Sequence, residues 1–326
     1  MPKSMPAPKM KKVALVLDFA APFGTQTLRG IKKYLLAQGR WELPEHFSVP
    51  AVTLDQLRGW KGDGVICRVI YRDMVPRLRR MGIPVVNVSN LIRDVPFPRV
   101  VPDDPAVGRM AADHLLDRGY HRLAFCGLTG HYYSDLRCES FRRRIREHGL
   151  DCLTPPFPPQ PMSDKADLQL LRKWLGGITP PFGLFACNDI RGRHVINTAR
   201  SIGMRVPEDI AVVAVDNDPL QGDLSDVPLS SIALAWEQVG FRAASLLEEL
   251  MEGGPVPAEP VRIPPAGLIT RLSSDALSIE DPDVVRVLRF IREHACENIG
   301  VENLLDLVPI SRRLLENKFR RFLGRT

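Results

Sequence analysis

The chain has 326 residues, 44% of them hydrophobic and 25% charged, and a formal net charge of +6. That length suggests about two domains. The apolar fraction excludes a disordered chain, and no apolar run nears the ~20 residues of a membrane helix. The basic balance is compatible with a polyanionic partner.

Residues 1–12, "MPKSMPAPKMKK", are basic but have no apolar core behind them, so they read as a disordered arm and not as a signal peptide. The cysteines (Cys67, Cys126, Cys138, Cys152, Cys187 and Cys296) show no C-x-x-C spacing. With no export signal, the expected compartment is the reducing cytoplasm. From residue 13, short β-branched runs alternate with amphipathic helical stretches. "VALVLDF" predicts a strand and "QTLRGIKKYLLAQ" a helix. "GVICRVI", a helix around "DMVPRLRRMG" and the strand "PVVNVSN" follow, then a strong helix over 105–119. The pattern restarts with "RLAFCGL", the helices "CESFRRRIREHGL" and "DLQLLRKWL", and the strand "GLFACND". "IRGRHVINTARSIG", the strand "IAVVAVDND" and the helix "WEQVGFRAASLLEELM" complete it. Near-continuous apolar strands imply parallel sheets covered on both faces.

Two such βα sets predict two doubly wound lobes, with a ligand crevice beyond the carboxyl ends of the strands. Polar residues at those ends carry the functional weight: Asp18, Asn87, Asp103, Asn188, Asp189, Asp216 and Asn217. Any single one has an ordinary alternative as a cap or loop residue. "PPFPPQP" (155–161) reads as a rigid surface connector. The polar stretch "RLSSDALSIEDPD" (271–283) breaks the rhythm, and a linker is expected over 273–282.

Beyond it every signal is helical. "DPDVVRVLRFIREHAC" precedes "GVENLLDLV" and "SRRLLENKFRRFLG", the last two separated only by Pro309 and Ile310. Helix, short turn, helix is the arrangement whose second member enters the major groove. In the last helix Ser311 is a good N-cap, and Leu314, Leu315, Phe319 and Phe322 repeat at helical spacing. Arg312, Arg313, Lys318, Arg320, Arg321 and Arg325 stand against one acid, Glu316. Read alone, this is either a solvated terminal helix or a DNA reader. Arg312 and Arg313 in the first turn suit base edges, Asn317 suits adenine, and Arg320, Arg321 and Arg325 suit phosphates. Enzyme motifs are absent: the sequence has no phosphate-binding G-x-x-x-x-G-K-[ST], no G-x-S-x-G and no metal spacing among its seven histidines. No cofactor or metal is expected.

The stretch from "DPDVVRVL" to "FRRFLGRT" resembles the first half of an AraC-type DNA-binding domain, through "I-R-E-H-A", "V-E-N-L-L" and "S-R-R-L-L-E-N-K-F-R-R-F-L-G", with Pro309 as a departure at the turn. The α/β part is similar to the sugar-binding domain of the lactose-repressor family, itself periplasmic-binding-protein-like. The shared motifs include "GDGVI" (62–66), "VGRMAADHL" (107–115), "GYHRLAFCG" (119–127), "RCESF" (137–141), "ACNDI" (186–190), "VPEDIAVVAVDN" (206–217) and "PLSSI" (228–232). Sugar-binding lobes ahead of an AraC-type reader resemble the xylose operon regulator family.

The resemblance implies a first lobe of 13–119 and 231–253, a second of 120–230 and 254–272, and a partial helix-turn-helix domain over 283–326. It implies contacts to sugar hydroxyls from Arg137, Asn188 and Asp216 and an aromatic wall at Trp236. The residues themselves add Phe23, as a second stacking face, and Asp189. DNA-contacting residues would be Ser311, Arg312, Arg313, Asn317, Lys318, Arg320 and Arg321. The implied protein is a homodimer that binds operator DNA and a sugar effector such as a pentose, and, if an activator, RNA polymerase. Ala20, Ala21, Gly24 and Leu234 replace polar residues of the family, which suits a deoxy or methylated sugar or another pentose as well as xylose. AraC-type domains carry two helix-turn-helix units, and only the first is in the sequence, so a truncated chain with weakened DNA affinity is expected. The competing readings are a plain solute-binding protein and an α/β enzyme acting on a sugar.

Overall fold

The computed structural model describes residues 10–38, 41–43, 54–158, 164–276, 281–294 and 296–323, apart from the side chains of 282, 292, 293 and 321–323. The chain opens with a parallel four-stranded sheet. β1 (Lys11–Val16) is followed by α1 (Pro22–Ala37) and β2 (Trp41–Glu42); β3 (Gly64–Cys67), α2 (Met74–Arg80) and β4 (Val85–Asn87) complete it in the order β2-β1-β3-β4. α1 starts at Pro22, earlier than its apolar stripe suggests, because a proline with its fixed φ serves as a first-turn residue. β5 (Val100–Pro102) bridges to this sheet through Arg99 and Asn87.

After Pro102 the chain crosses to the second lobe. There α3 (Asp104–Leu116), β6 (Leu123–Cys126), α4 (Tyr132–Arg146), β7 (Cys152–Leu153), α5 (Asp164–Gly176), β8 (Phe182–Ala186), α6 (Asp189–Ser201), β9 (Ile210–Val215), α7 (Pro219–Asp223) and β10 (Ser230–Ala233) follow in turn. Along the central strands the side chains alternate between two cores. Phe125, Phe185 and Val213 pack with Val107, Leu115 and Phe141 of α3 and α4. Ala124, Leu184 and Val212 pack with Leu171, Leu175, Val195 and Ile196 of α5 and α6. Both faces are covered, as uninterrupted apolar strands require.

The chain then returns to the first lobe as α8 (Trp236–Met251) and β11 (Val261–Ile263), which pairs in parallel with β5. It crosses a third time to add β12 (Gly267–Ile269), antiparallel, at the end of the second sheet, whose order is β12-β10-β9-β8-β6-β7. The lobe boundaries differ from the expected ones. Residues 104–119 belong to the second lobe, since Val107, Ala111 and Leu115 lie in its core. So does β10, which pairs with β9, whereas residues 254–263 return to the first lobe. Three crossings, after Pro102, Ala233 and Ile263, therefore form the hinge. The expected linker also starts too early, because Ser273 and Ser274 are completely buried against the second lobe.

The C-terminal helices are α9 (Pro282–Glu293), α10 (Val301–Leu305) and α11 (Arg312–Leu323). Val287, Val308 and Leu315 are their buried center, with Ile291, Leu304 and Phe319 around it. α10 is shorter than expected, so residues 306–311 separate it from α11. Among the described residues no helix is long and apolar enough to cross a membrane.

Two helix pairs meet backbone to backbone. A Cβ on Gly240 of α8 would sit 2.0 Å from the Thr27 carbonyl oxygen of α1, and one on Gly108 of α3 would sit 2.4 Å from the Arg137 carbonyl oxygen of α4. Neither obstacle is a flexible side-chain tip, so the helices must separate. Gly240→Ala and Gly108→Ala should each lower the unfolding free energy by about 1–3 kcal/mol, read as a shifted urea midpoint at unchanged slope.

Candidate functional site

Between the lobes, beyond the carboxyl ends of the strands, lies a cavity of about 280 Å³. Phe23, Arg137, Asn188, Asp189, Asp216 and Trp236 all line it. The topology explains the convergence: loops after β1, β6, β8 and β9 and the start of α8 all open on the same crevice.

Arg137 is the center of the polar wall. It sits in the second turn of α4, which starts at Tyr132, and so does not open that helix as its sequence context suggests. It is 3% exposed. Its Nε donates to Asp104 Oδ1 at 2.8 Å, its Nη1 donates to the Cys187 carbonyl, and its guanidinium lies 4.8 Å from the Tyr133 ring centroid. Burial works against the charge, but Asp104 and Asp216 more than offset it, and the Arg137 pKa is raised. Asp104 also reaches the first lobe, accepting from Asn90 Nδ2 at 2.8 Å.

Asp216 follows β9 with φ +112°, and Asn217 follows with φ +50°. The Asn217 angle is the left-handed one that asparagine adopts readily, but the Asp216 angle lies well outside that well and persists only because its surroundings enforce it. Among the described residues no donor lies within hydrogen-bond distance of the Asp216 carboxylate, which faces Arg137 and Arg68 electrostatically. Burial, with Asp104 adding to it, pushes its pKa up to about 6. Opposite stand two aromatic rings, Phe23 and Trp236, with centroids 5.7 Å apart and planes tilted by 52°. The Arg68 guanidinium covers Phe23 at 4.2 Å.

Other expected residues are already engaged within the protein. Asp189, 2% exposed, accepts from Ser231 Oγ at 2.6 Å and from the Asp218 amide at 2.7 Å. Burial and then Asp216 raise its pKa to about 7. It forms the floor of the cavity. Asn188 caps α6 by accepting from the Arg191 amide, and its Nδ2 donates to the Tyr133 hydroxyl at 3.2 Å. Asp103 is the N-cap of α3, Asp18 closes its own turn onto Ala20, and Asn87 joins β4 to the Val69 and Ser89 amides. Gly24 is set by the Asp18 carbonyl, 1.8 Å from where its Cβ would be, and Leu234 lies in the second-lobe core. Neither is a cavity wall; Ala21 and Pro22 are. Asp104, Arg68, Asn90 and Tyr133 also line the cavity and were not singled out in the sequence. A second aspartate behind the N-cap Asp103 was the available signal for Asp104.

On α11 the structure separates the basic residues. Lys318 is turned inward, its Nζ 2.8 Å from Asp281 Oδ2 and 2.7 Å from Asp283 Oδ2 at the start of α9. It is a clamp between α9 and α11, not a free cation for DNA. Arg312 pairs with Glu316 at 2.9 Å on the surface. Ser311, Arg313, Asn317 and Arg320 are exposed, and the last three share one helix face at i, i+4 and i+7 spacing. Leu314, expected in the apolar stripe, is 45% exposed. The side chains of Arg321 and Phe322, and Arg325 entirely, lie outside the described residues.

Residues 112–274 match the periplasmic binding protein-like domain family. The xylose operon regulatory protein of Escherichia coli strain K12 is 31% identical over 98% of this chain and 83% of its own length. That of Haemophilus influenzae strain Rd is 30% identical over 97% and 84%. A solved structure of the xylose-binding transcription activator xylR superposes with a TM-score of 0.78 at 30% identity, covering 98% of this chain and 84% of that one. The fold and these relatives define a transcriptional regulator built on a periplasmic-binding-protein-like α/β unit. The chain belongs to the xylose operon regulatory protein family.

The raised Asp189 pKa has a stability consequence of definite sign. An unfolded aspartate ionises near ~3.9, while the folded protein holds this proton to about 7. The group therefore costs stability progressively as pH rises through that window. Relative to the wild type, Asp189→Asn should gain about 1–3 kcal/mol between pH 5 and pH 8, measured by urea unfolding at each pH. A stability difference that stays flat over the same range would mean that Asp189 is already ionised in the folded protein at pH 5.

Proposed function

We propose that the chain is a sugar-responsive regulator that binds a pentose or related monosaccharide in the interlobe cavity and operator DNA through α11. The observation that carries this reading is the pairing of a fixed guanidinium with an open carboxylate across from two aromatic rings. A neutral sugar presents hydroxyls that both donate and accept, and C–H faces that pack on rings. Arg137, held by Asp104 and the Cys187 carbonyl, offers donors in one orientation. Asp216 offers an acceptor, and Phe23 and Trp236 offer the apolar walls. Fixed donors and acceptors lose little conformational entropy on binding. A cavity of about 280 Å³ fits a single ring, lying at the small end of the ~300–1,000 Å³ usual for ligand sites. The apolar stretch at Ala21 and Pro22 suits a pentose or deoxy sugar, which lacks a bulky polar arm there.

Sugar contacts from both lobes favour their closure about the three crossings, a population shift between open and closed arrangements. In a homodimer that shift re-spaces the two copies of α11 relative to operator half-sites. Arg313 and Asn317 then meet base edges and Arg320 a phosphate, while Lys318 keeps α11 docked on α9. Regulation without catalysis, in the cytoplasm, agrees with the character of the relatives. Activation through RNA polymerase follows by analogy with AraC-type regulators alone.

Titration calorimetry with D-xylose and other pentoses tests the cavity. Asp216→Asn and Arg137→Met should each weaken binding roughly 10- to 100-fold, since hydrogen bonds to charged groups contribute ~1.5–3 kcal/mol. Full-affinity binding in both variants would remove the sugar from this site. For the helix, fluorescence anisotropy on the chain's own promoter DNA should show salt-sensitive binding. Arg313→Ala and Asn317→Ala should each cost about 1–3 kcal/mol. Arg320→Ala should lower the salt slope by roughly 1. Binding that none of the three alters would exclude α11 as the reader.

A further inference from the structure

The segment that leaves the second lobe toward α9 is fastened by buried hydroxyls. Ser273 Oγ donates to the Val212 carbonyl at 2.6 Å and accepts from the Ser230 amide at 2.8 Å. Ser274 Oγ pairs with Ser230 Oγ and with His114 Nε2, both at 2.7 Å. Arg118 Nε donates to the Ser274 carbonyl at 2.7 Å. A satisfied network of this kind specifies one placement of the segment, which apolar packing alone does not.

The same segment reaches the cavity through Arg271. Its Nη1 donates to the Leu229 carbonyl and its Nη2 to Asn217 Oδ1, each at 2.7 Å. The Asn217 amide donates to Ser231 Oγ at 2.9 Å, and that hydroxyl donates to Asp189 in the cavity floor at 2.6 Å. Among the described residues other than glycine, Asp216 and Asn217 are the two held at positive φ. One end of this strained turn thus presents a carboxylate to the cavity, and the other is gripped by the arginine of the exit segment. Arg271 itself is not among the residues that line the cavity.

We infer that Arg271 is a positioning residue: it latches the Asp216–Asn217 turn to the exit segment, so that sugar binding and the placement of the C-terminal helices are coupled. The inference rests on the reading of the cavity as an effector site. A ligand that engages Asp216 acts on a turn whose unusual backbone is supported from the tail. Linkage then requires that loosening the tail weaken the ligand, and by the same factor that the ligand tightens the tail.

The latch is tested in the full chain by two independent measurements. In calorimetry with D-xylose, Arg271→Met and Asn217→Ala should each lower affinity roughly tenfold, about one charged hydrogen bond, and the double variant should lose no more than the worse single one. Unchanged affinity in Arg271→Met, or losses that simply add, would overturn the latch. Arg271→Lys, which keeps the charge but reaches only one acceptor, should fall between and decides the same question if the methionine variant does not fold. The second measurement needs no ligand. Cutting the cavity end with Asp189→Ala should speed hydrogen exchange of the 271–276 amides about tenfold, as should Arg271→Met, and unaltered exchange refutes the connection. A wild-type chain that binds no sugar would count against the effector reading, and hydrogen exchange would then decide the latch by itself.

Discussion

The buried contact between Arg137 and Asp104 is the constraint on which the rest of the site depends. Its net contribution to stability is small, because the cost of dehydrating two charges offsets most of their attraction. Its effect is geometric. Asp104 stands at the first position of α3, and Arg137 comes from α4, where Gly108 lets the two helices touch. Asp104 takes a further hydrogen bond from Asn90 of the first lobe, so the group that orients Arg137 also registers where the opposite lobe stands. A sugar entering between the lobes meets a guanidinium already aimed, and an interlobe contact that closure can tighten.

Much of this was legible in the sequence because its strongest signals are those of parallel βα units. Uninterrupted apolar runs located the central strands, and strand-end polar residues located the crevice. Arg137, Asp216, Phe23 and Trp236 were found on that basis together with a family resemblance. What the sequence hid is three-dimensional accounting. Asp103 and Asp104 are chemically identical neighbors, yet one caps a helix and the other holds Arg137. Asn188 and Asp189 look equally available, yet both spend their polar atoms inside the protein. The lobe boundaries were misplaced because a short edge strand such as β5 or β11 leaves too weak an alternation to show which sheet it joins.

The C-terminal helices show the same limit. A run of basic residues on a helix reads as one electrostatic feature, but the fold divides it. Lys318 is needed to neutralise Asp281, the N-cap of α9, and Asp283 in its first turn, and it thereby docks α11 onto α9. Arg312 is partly neutralised by Glu316. Among the described residues, the face left without an acidic partner is Arg313, Asn317 and Arg320, a narrower and more directed stripe than the charge count implies. A DNA groove discriminates by the few side chains that reach base edges, so such a stripe is better suited to reading sequence than a uniformly basic cylinder.

The placement of the exit segment bears on how the two halves of the chain communicate. Had residues 271–276 been part of the loose polar linker that their composition suggests, closure of the lobes would reach α11 only as a diffuse change in tether position. Entropy would then dilute any change at the cavity. Instead residues 271–276 are pinned by hydrogen bonds to the second lobe, and Arg271 grips the turn in which the Asp216 backbone angle is unfavourable without support. Strain at Asp216 makes the turn responsive, because removing either the ligand on one side or the arginine on the other changes what the remaining contact must supply. The serine network then keeps that response from dissipating before the chain leaves the lobe.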